Sequence, residues 1–112
     1  MFRRTACQLI AATACIGASA FAQDLPQPQL ATIPLSLDGN AFQMVAHVYK
    51  PPGAGPFPVV FFLHGRPPNR AARESMKQPI APGHAQYWLR KGVAVIAPVR
   101  PGYGATGGGD FE

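Results

Sequence analysis

Val59-Val60-Phe61-Phe62-Leu63-His64-Gly65 is the stretch that decides the fold. Five apolar residues run unbroken between Pro58 and the His-Gly pair. β-branched and aromatic side chains favour a strand over a helix, and the lack of alternation predicts a strand covered on both faces. Val93-Ala94-Val95-Ile96-Ala97, closed by Pro98, has the same character. The intervening stretch from His64 to Gly92 is long enough for a crossover. In its latter part Ala85, Trp88 and Leu89 fall at i, i+3 and i+4, one face of a helix. Arg90 and Lys91 occupy the last turn, where the helix dipole favours cations, and Gly92 supplies a left-handed cap. Asn69 to Gln78 predicts a second short helix, capped by Asn69 and stopped before Pro79. Strand, helix and strand with buried strands make a βαβ unit, hence a parallel pair with a right-handed crossover.

Upstream, Ile33, Leu35 and Leu37 alternate with Pro34, Ser36 and Asp38, the pattern of a half-buried strand. Asp38-Gly39-Asn40 is turn chemistry, because Gly and Asn tolerate positive φ. A second alternating run sets Phe42, Met44, Ala46 and Val48 opposite Gln43, Val45, His47 and Tyr49, so the two runs predict an antiparallel hairpin. Residues 23–32, with Pro26 and Pro28, read as an extended lead-in. Pro51 to Pro56 breaks the pattern before the decisive strand.

The first residues carry a different message. Met1-Phe2-Arg3-Arg4 is a positive start, Leu9 to Gly17 a short apolar stretch, and Ala20 and Ala22 flank Phe21 at the spacing a signal peptidase reads. Residues 1–22 are therefore expected to be an export signal, placing the protein in the periplasm or outside the cell. A lipoprotein variant at Cys15 is the minor option, since the position three before that cysteine is not Leu. Cleavage after Ala22 removes both cysteines, Cys7 and Cys15, so the mature chain has no disulfide. Of the 112 residues 47% are hydrophobic and only 13% charged, which excludes a wholly disordered chain. The formal charge of +5 falls to +3 without Arg3 and Arg4. That bias has no Lys/Arg cluster or aromatic platform and does not support nucleic-acid binding. No two of His47, His64 and His84 fall at a metal-ligand spacing, so no metal is expected.

The strand at Val93–Ala97 leads into Arg100-Pro101-Gly102-Tyr103-Gly104-Ala105-Thr106-Gly107. Gly102-x-Gly104-x-x-Gly107 matches the dinucleotide fingerprint, which requires a helix to begin there. Gly108-Gly109-Asp110 is a poor helix start, so these glycines read as a loop and no cofactor is expected. Buried parallel strands need neighbours and a helix layer on each face. The chain accordingly reads as incomplete at its C-terminus.

Together, Leu63-His64-Gly65-Arg66 after an apolar strand and Arg100-Pro101-Gly102-Tyr103-Gly104 one βα unit later resemble the N-terminal portion of α/β-hydrolases. The likeness is to secreted esterase or peptidase-like members related to dienelactone hydrolase and prolyl oligopeptidase. It runs over about Leu35 to Gly109, and Val48-Tyr49-Lys50-Pro51-Pro52 is similar to the family's entry into its third strand. The resemblance implies a three-layer α/β fold, of which residues 33–112 are the first part. It also implies acyl-transfer chemistry on a small-molecule ester or peptide substrate in the full-length protein. In this family the loop after His-Gly supplies a backbone N–H of the oxyanion hole. That donor falls at Arg66, with Gly65 beside it, where a missing Cβ lets substrate approach. His64 precedes the family's nucleophile, acid and histidine, so it is expected to be structural, fixing the loop by hydrogen bonds. Arg100 is expected to anchor the second loop on backbone carbonyls.

The nucleophile is where the chain departs from the family. Gly-x-Ser-x-Gly on a strand-to-helix elbow is required. Ser36 and Ser75, the serines outside the export signal, sit in Leu-Ser-Leu and Glu-Ser-Met. The chain as given is expected not to catalyse hydrolysis by itself. Arg66, Arg70 and Arg73 either attract a carboxylated substrate or form a solvated face, the second being the ordinary fate of surface charges. Tyr87 and Trp88 are expected to pack the helix. In the family's strand order the third strand, here Val59–Leu63, lies between the fourth and the fifth. Without the fifth it is an unpaired apolar edge, and residues 23–112 alone are expected to be marginally stable or insoluble. The rival class is a non-catalytic periplasmic binding module.

Overall fold

The computed structural model describes residues 24–109. The export signal expected over 1–22 lies outside them. Four strands form one mixed sheet: β1 (Gln29–Leu37), β2 (Asn40–Tyr49), β3 (Val59–Phe61) and β4 (Ala94–Pro98), in spatial order β1-β2-β4-β3. Between β3 and β4 run helices α1 (Arg70–Glu74) and α2 (Pro82–Arg90), and a single 3₁₀ turn covers Gly104–Thr106.

The hairpin forms in the register that alternation predicts, with Ile33 opposite Met44 and Leu35 opposite Phe42. Its turn places Asp38 and Gly39 at positive φ, 49° and 76°. β1 begins at Gln29, so the lead-in is shorter than expected. Pro28 is the last proline before the ladder, and Gln29 to Thr32 pair with Val48 to Val45. β3 and β4 are parallel, Val60 opposite Val95, as the βαβ pattern requires. β4 lies between β3 and the hairpin and pairs antiparallel with β2. Pro98 closes β4 beyond the residues that β3 pairs with, where its missing N–H costs no ladder bond.

Helix α2 starts with Pro82 in its first turn, where the absent N–H is one of the orphans. It ends at Arg90 with Lys91 as C-cap, and Gly92 just beyond, at φ 74°, gives the expected left-handed exit. α1 is capped by Asn69, whose Oδ1 accepts from the Ala72 N–H at 2.7 Å. It stops at Glu74, short of the expected Gln78, because Ser75 is already the C-cap. The core joins Tyr49, Ile80, Ala85, Val95 and Ala97, with Val60, Phe62, Trp88 and Leu89 packed against it. Trp88 thus packs as expected, whereas Tyr87 is exposed and lies edge-on to Trp88 under the Lys91 ammonium.

One expectation fails at the decisive strand. Val59, Phe61 and Leu63 are 49%, 66% and 68% exposed, so β3 is covered on one face. Strand pairing reaches only Phe62, whose N–H donates to the Ile96 carbonyl at 2.9 Å. β3 is the edge of the sheet, and α2 packs against the Val60, Phe62, Val95 and Ala97 side. The other side of the sheet carries Ile33, Leu35, Phe42, Met44, Ile96 and Phe61, with no described helix against it. Among the described residues the architecture is one helical layer on a four-strand sheet.

Candidate functional site

Two loops leave the carboxyl ends of the parallel strands β3 and β4, the place where open α/β sheets hold their ligands. His64, Gly65 and Arg66 are on the first, outside any helix or strand. His64 is buried although polar, and its contacts explain why. The Arg100 backbone N–H, which can only donate, reaches His64 Nε2 at 3.2 Å. Nε2 is therefore the acceptor and Nδ1 carries the proton, which it donates to the Gly65 carbonyl at 2.8 Å. One neutral imidazole thus joins the two loops across 36 positions of sequence. The expected structural role of His64 is what the geometry provides.

Further fastenings hold the first loop. Arg73 reaches back from α1 and donates to the Pro67 carbonyl at 3.1 Å. It is buried, so it is neither a free substrate cation nor part of a solvated face. Arg70 pairs with Glu74 at 2.6 Å on the exposed helix face. The guanidinium groups of Arg66, Arg70 and Arg73 therefore do different jobs, and Arg66 is the one exposed on the loop itself. Gly65 is exposed and a Cβ there would meet nothing within 4 Å, so the space beside this peptide is open.

In the second loop Tyr103 is buried with its ring 4.7 Å from that of His64, tilted by 55°. Arg100 donates to the Tyr103 hydroxyl at 3.3 Å and lies 5.0 Å from the ring centroid. As expected it anchors the loop, with a phenol and a π face among its partners. A planar cation over an aromatic ring keeps part of its electrostatic compensation in the ring quadrupole. The Gly102 N–H donates to the Gly107 carbonyl at 2.6 Å, closing the glycine loop on itself. Inside it lies a three-residue 3₁₀ turn, not the helix a dinucleotide site needs.

Thr106 performs a role the sequence did not suggest. Its hydroxyl accepts from the Val45 N–H at 3.0 Å and donates to the Val99 carbonyl at 2.5 Å. The Val99 N–H meets the Val45 carbonyl directly at 2.8 Å. An antiparallel hydrogen-bonded pair would exchange both bonds. Here a hydroxyl is inserted into one of them, and the second loop is locked to β2.

Of the serines, Ser75 donates to the Ala72 carbonyl at 3.4 Å as the cap of α1, and Ser36 lies exposed on β1. No group of three His, Cys, Asp or Glu among the described residues is placed to hold a metal. No described helix is long and apolar enough to cross a membrane.

A cavity of about 580 Å³ lies elsewhere and borders neither Gly65 nor Arg66. Leu30, Val45, Met76 and Val99 give it apolar walls, with His47 on the sheet between them. A smaller cavity of about 190 Å³ adjoins it and shares Gln27, Pro28, His47 and Lys77. Burial lowers the His47 pKa, favouring the neutral ring. The sequence placed Val45, His47 and Tyr49 on one face but held no sign that α1 would stand off and leave a hollow over them. No family model, curated protein or solved structure matches this chain.

Proposed function

We propose that the chain is the N-terminal part of an exported serine hydrolase that cleaves ester or peptide-like acyl bonds. In this reading the Arg66 N–H is an oxyanion donor, Gly65 keeps the approach to it open, and the nucleophile, acid and base are encoded after Glu112. The fold is then the first portion of a three-layer α/β-hydrolase sheet. The observation that carries the reading is the joining of two motif loops at the carboxyl ends of adjacent parallel strands by His64. A peptide that must meet a developing oxyanion needs a fixed position before the reaction starts. The tether of His64 and the hold of Arg73 on Pro67 supply that fixity. β3 at the sheet edge leaves its outer side available for the strand that carries the nucleophile elbow. Export rests on residues 1–22 alone.

The competing reading, a periplasmic binding module without catalysis, is favoured by the cavity at His47. The codons that follow Glu112 separate the two. A continuation with Gly-x-Ser-x-Gly, and covalent labelling of the complete gene product by a fluorophosphonate, supports the hydrolase. A stop codon and no labelling support the binding module. In the labelled enzyme, Arg66→Pro removes one N–H and should lower kcat by about 10²–10³, while Arg66→Ala leaves it within about three-fold.

A further inference from the structure

We infer that the cavity over His47 is a binding site for a small, uncharged, largely apolar molecule that carries one hydrogen-bond acceptor, such as a ketone or ester carbonyl. The His47 ring makes no hydrogen bond among the described residues, and its Nδ1 is shut away from solvent without a partner. A neutral imidazole has one donor and one acceptor nitrogen. An orphaned buried N–H is rarer than an under-satisfied acceptor, so the proton belongs on Nε2. Nε2 is absent from the shielded, unsatisfied atoms, so it is the ring's accessible nitrogen, and His47 lines both cavities. From the sheet the hollow therefore receives one N–H donor among apolar side chains, while Gln27, Ser75 and Lys77, which also line it, are exposed to solvent. Its 580 Å³ is in the range of small-molecule pockets, in which a few polar groups orient a ligand held by apolar walls.

Charge at the rim does not change the ligand class. Glu74 is already paired with Arg70. Lys77 is exposed, and an ammonium in water adds little to binding an anion. An uncharged ring on the floor gives an anion nothing further. The inference does not rest on the hydrolase reading, because neither Gly65 nor Arg66 borders the cavity.

The test uses the complete gene product and two dyes: 6-propionyl-2-dimethylaminonaphthalene, which has a ketone, and 2-dimethylaminonaphthalene, which lacks it. The ketone dye is expected to bind saturably at micromolar concentration with blue-shifted emission. His47→Phe keeps an aromatic wall but removes the donor, and should weaken the ketone dye about five-fold while leaving the other unchanged. Ala105→Trp, at an exposed position on the rim, should abolish binding of both, and circular dichroism confirms that each variant is folded. ¹⁵N shifts of the His47 ring in the unliganded protein should report the Nε2–H tautomer. The inference is overturned by non-saturable binding, by equal loss of both dyes in His47→Phe, by the Nδ1–H tautomer, or by tighter binding of a carboxylated analogue than of the ketone.

Discussion

Replacing Thr106 by Val keeps the shape of the side chain and removes one oxygen. In the structure that oxygen serves Val45 N–H at 3.0 Å and Val99 C=O at 2.5 Å, sixty-one and seven positions away. Each bond contributes about 0.5–1.5 kcal/mol net, and a backbone N–H left between strands without a partner adds a desolvation penalty, so the expected loss is about 2–3 kcal/mol. Thr106→Ser keeps both bonds and gives up a single methyl, worth about 0.8 kcal/mol. Urea unfolding of the complete gene product at matched m-values measures both losses. Hydrogen exchange at the Val45 amide localises them: it should accelerate in Thr106→Val and stay protected in Thr106→Ser. The contrary outcome is a Thr106→Val loss of less than about 0.5 kcal/mol. That result means β2 and β4 close directly on each other and the hydroxyl is dispensable.

Gly104 has φ of 40°, and a Cβ there would overlap the Met76 carbonyl oxygen, so Gly104→Ala should destabilise by more than about 2 kcal/mol in the same urea assay. Because burial depresses the His47 pKa, the unfolded chain binds more protons near that pH. Stability should be complete above the unfolded value of 6.5 and fall as pH drops below it, and His47→Gln should flatten that slope in a pH series of thermal melts. Phe61→Lys places a charge on an exposed apolar edge and should suppress aggregation of the isolated chain, read by light scattering, with little change in its unfolding midpoint.

How much of this was legible beforehand divides along local and long-range lines. The hairpin, the parallel pair, the Asn69 cap and the Gly92 exit are written in short windows of sequence, because alternation, capping chemistry and positive φ act over a few residues. The covered faces were not. The unbroken run Val59–Leu63 reads as doubly buried, yet its odd positions face solvent, since coverage depends on what packs across the sheet. The hairpin's more apolar stripe, Ile33, Leu35, Phe42 and Met44, likewise lies away from the helices. For the candidate site, the position of His64 and its tethering role were readable from the motif order. The assignment of Arg73 was not, because a guanidinium reaches whichever acceptor the tertiary fold brings near. Thr106 carried no signal at all: its two partners are distant in sequence and belong to the backbone.

The imidazole of His64 is held by a donor on one side and an acceptor on the other, and this limits what else the ring can do. Taking up a second proton would set two N–H groups face to face at Arg100 and let the glycine-rich segment drift from its neighbour. A histidine employed as a rivet is thereby barred from proton shuttling. Any group that moves protons at these strand ends would have to be a second residue, because both ring nitrogens of His64 are already engaged.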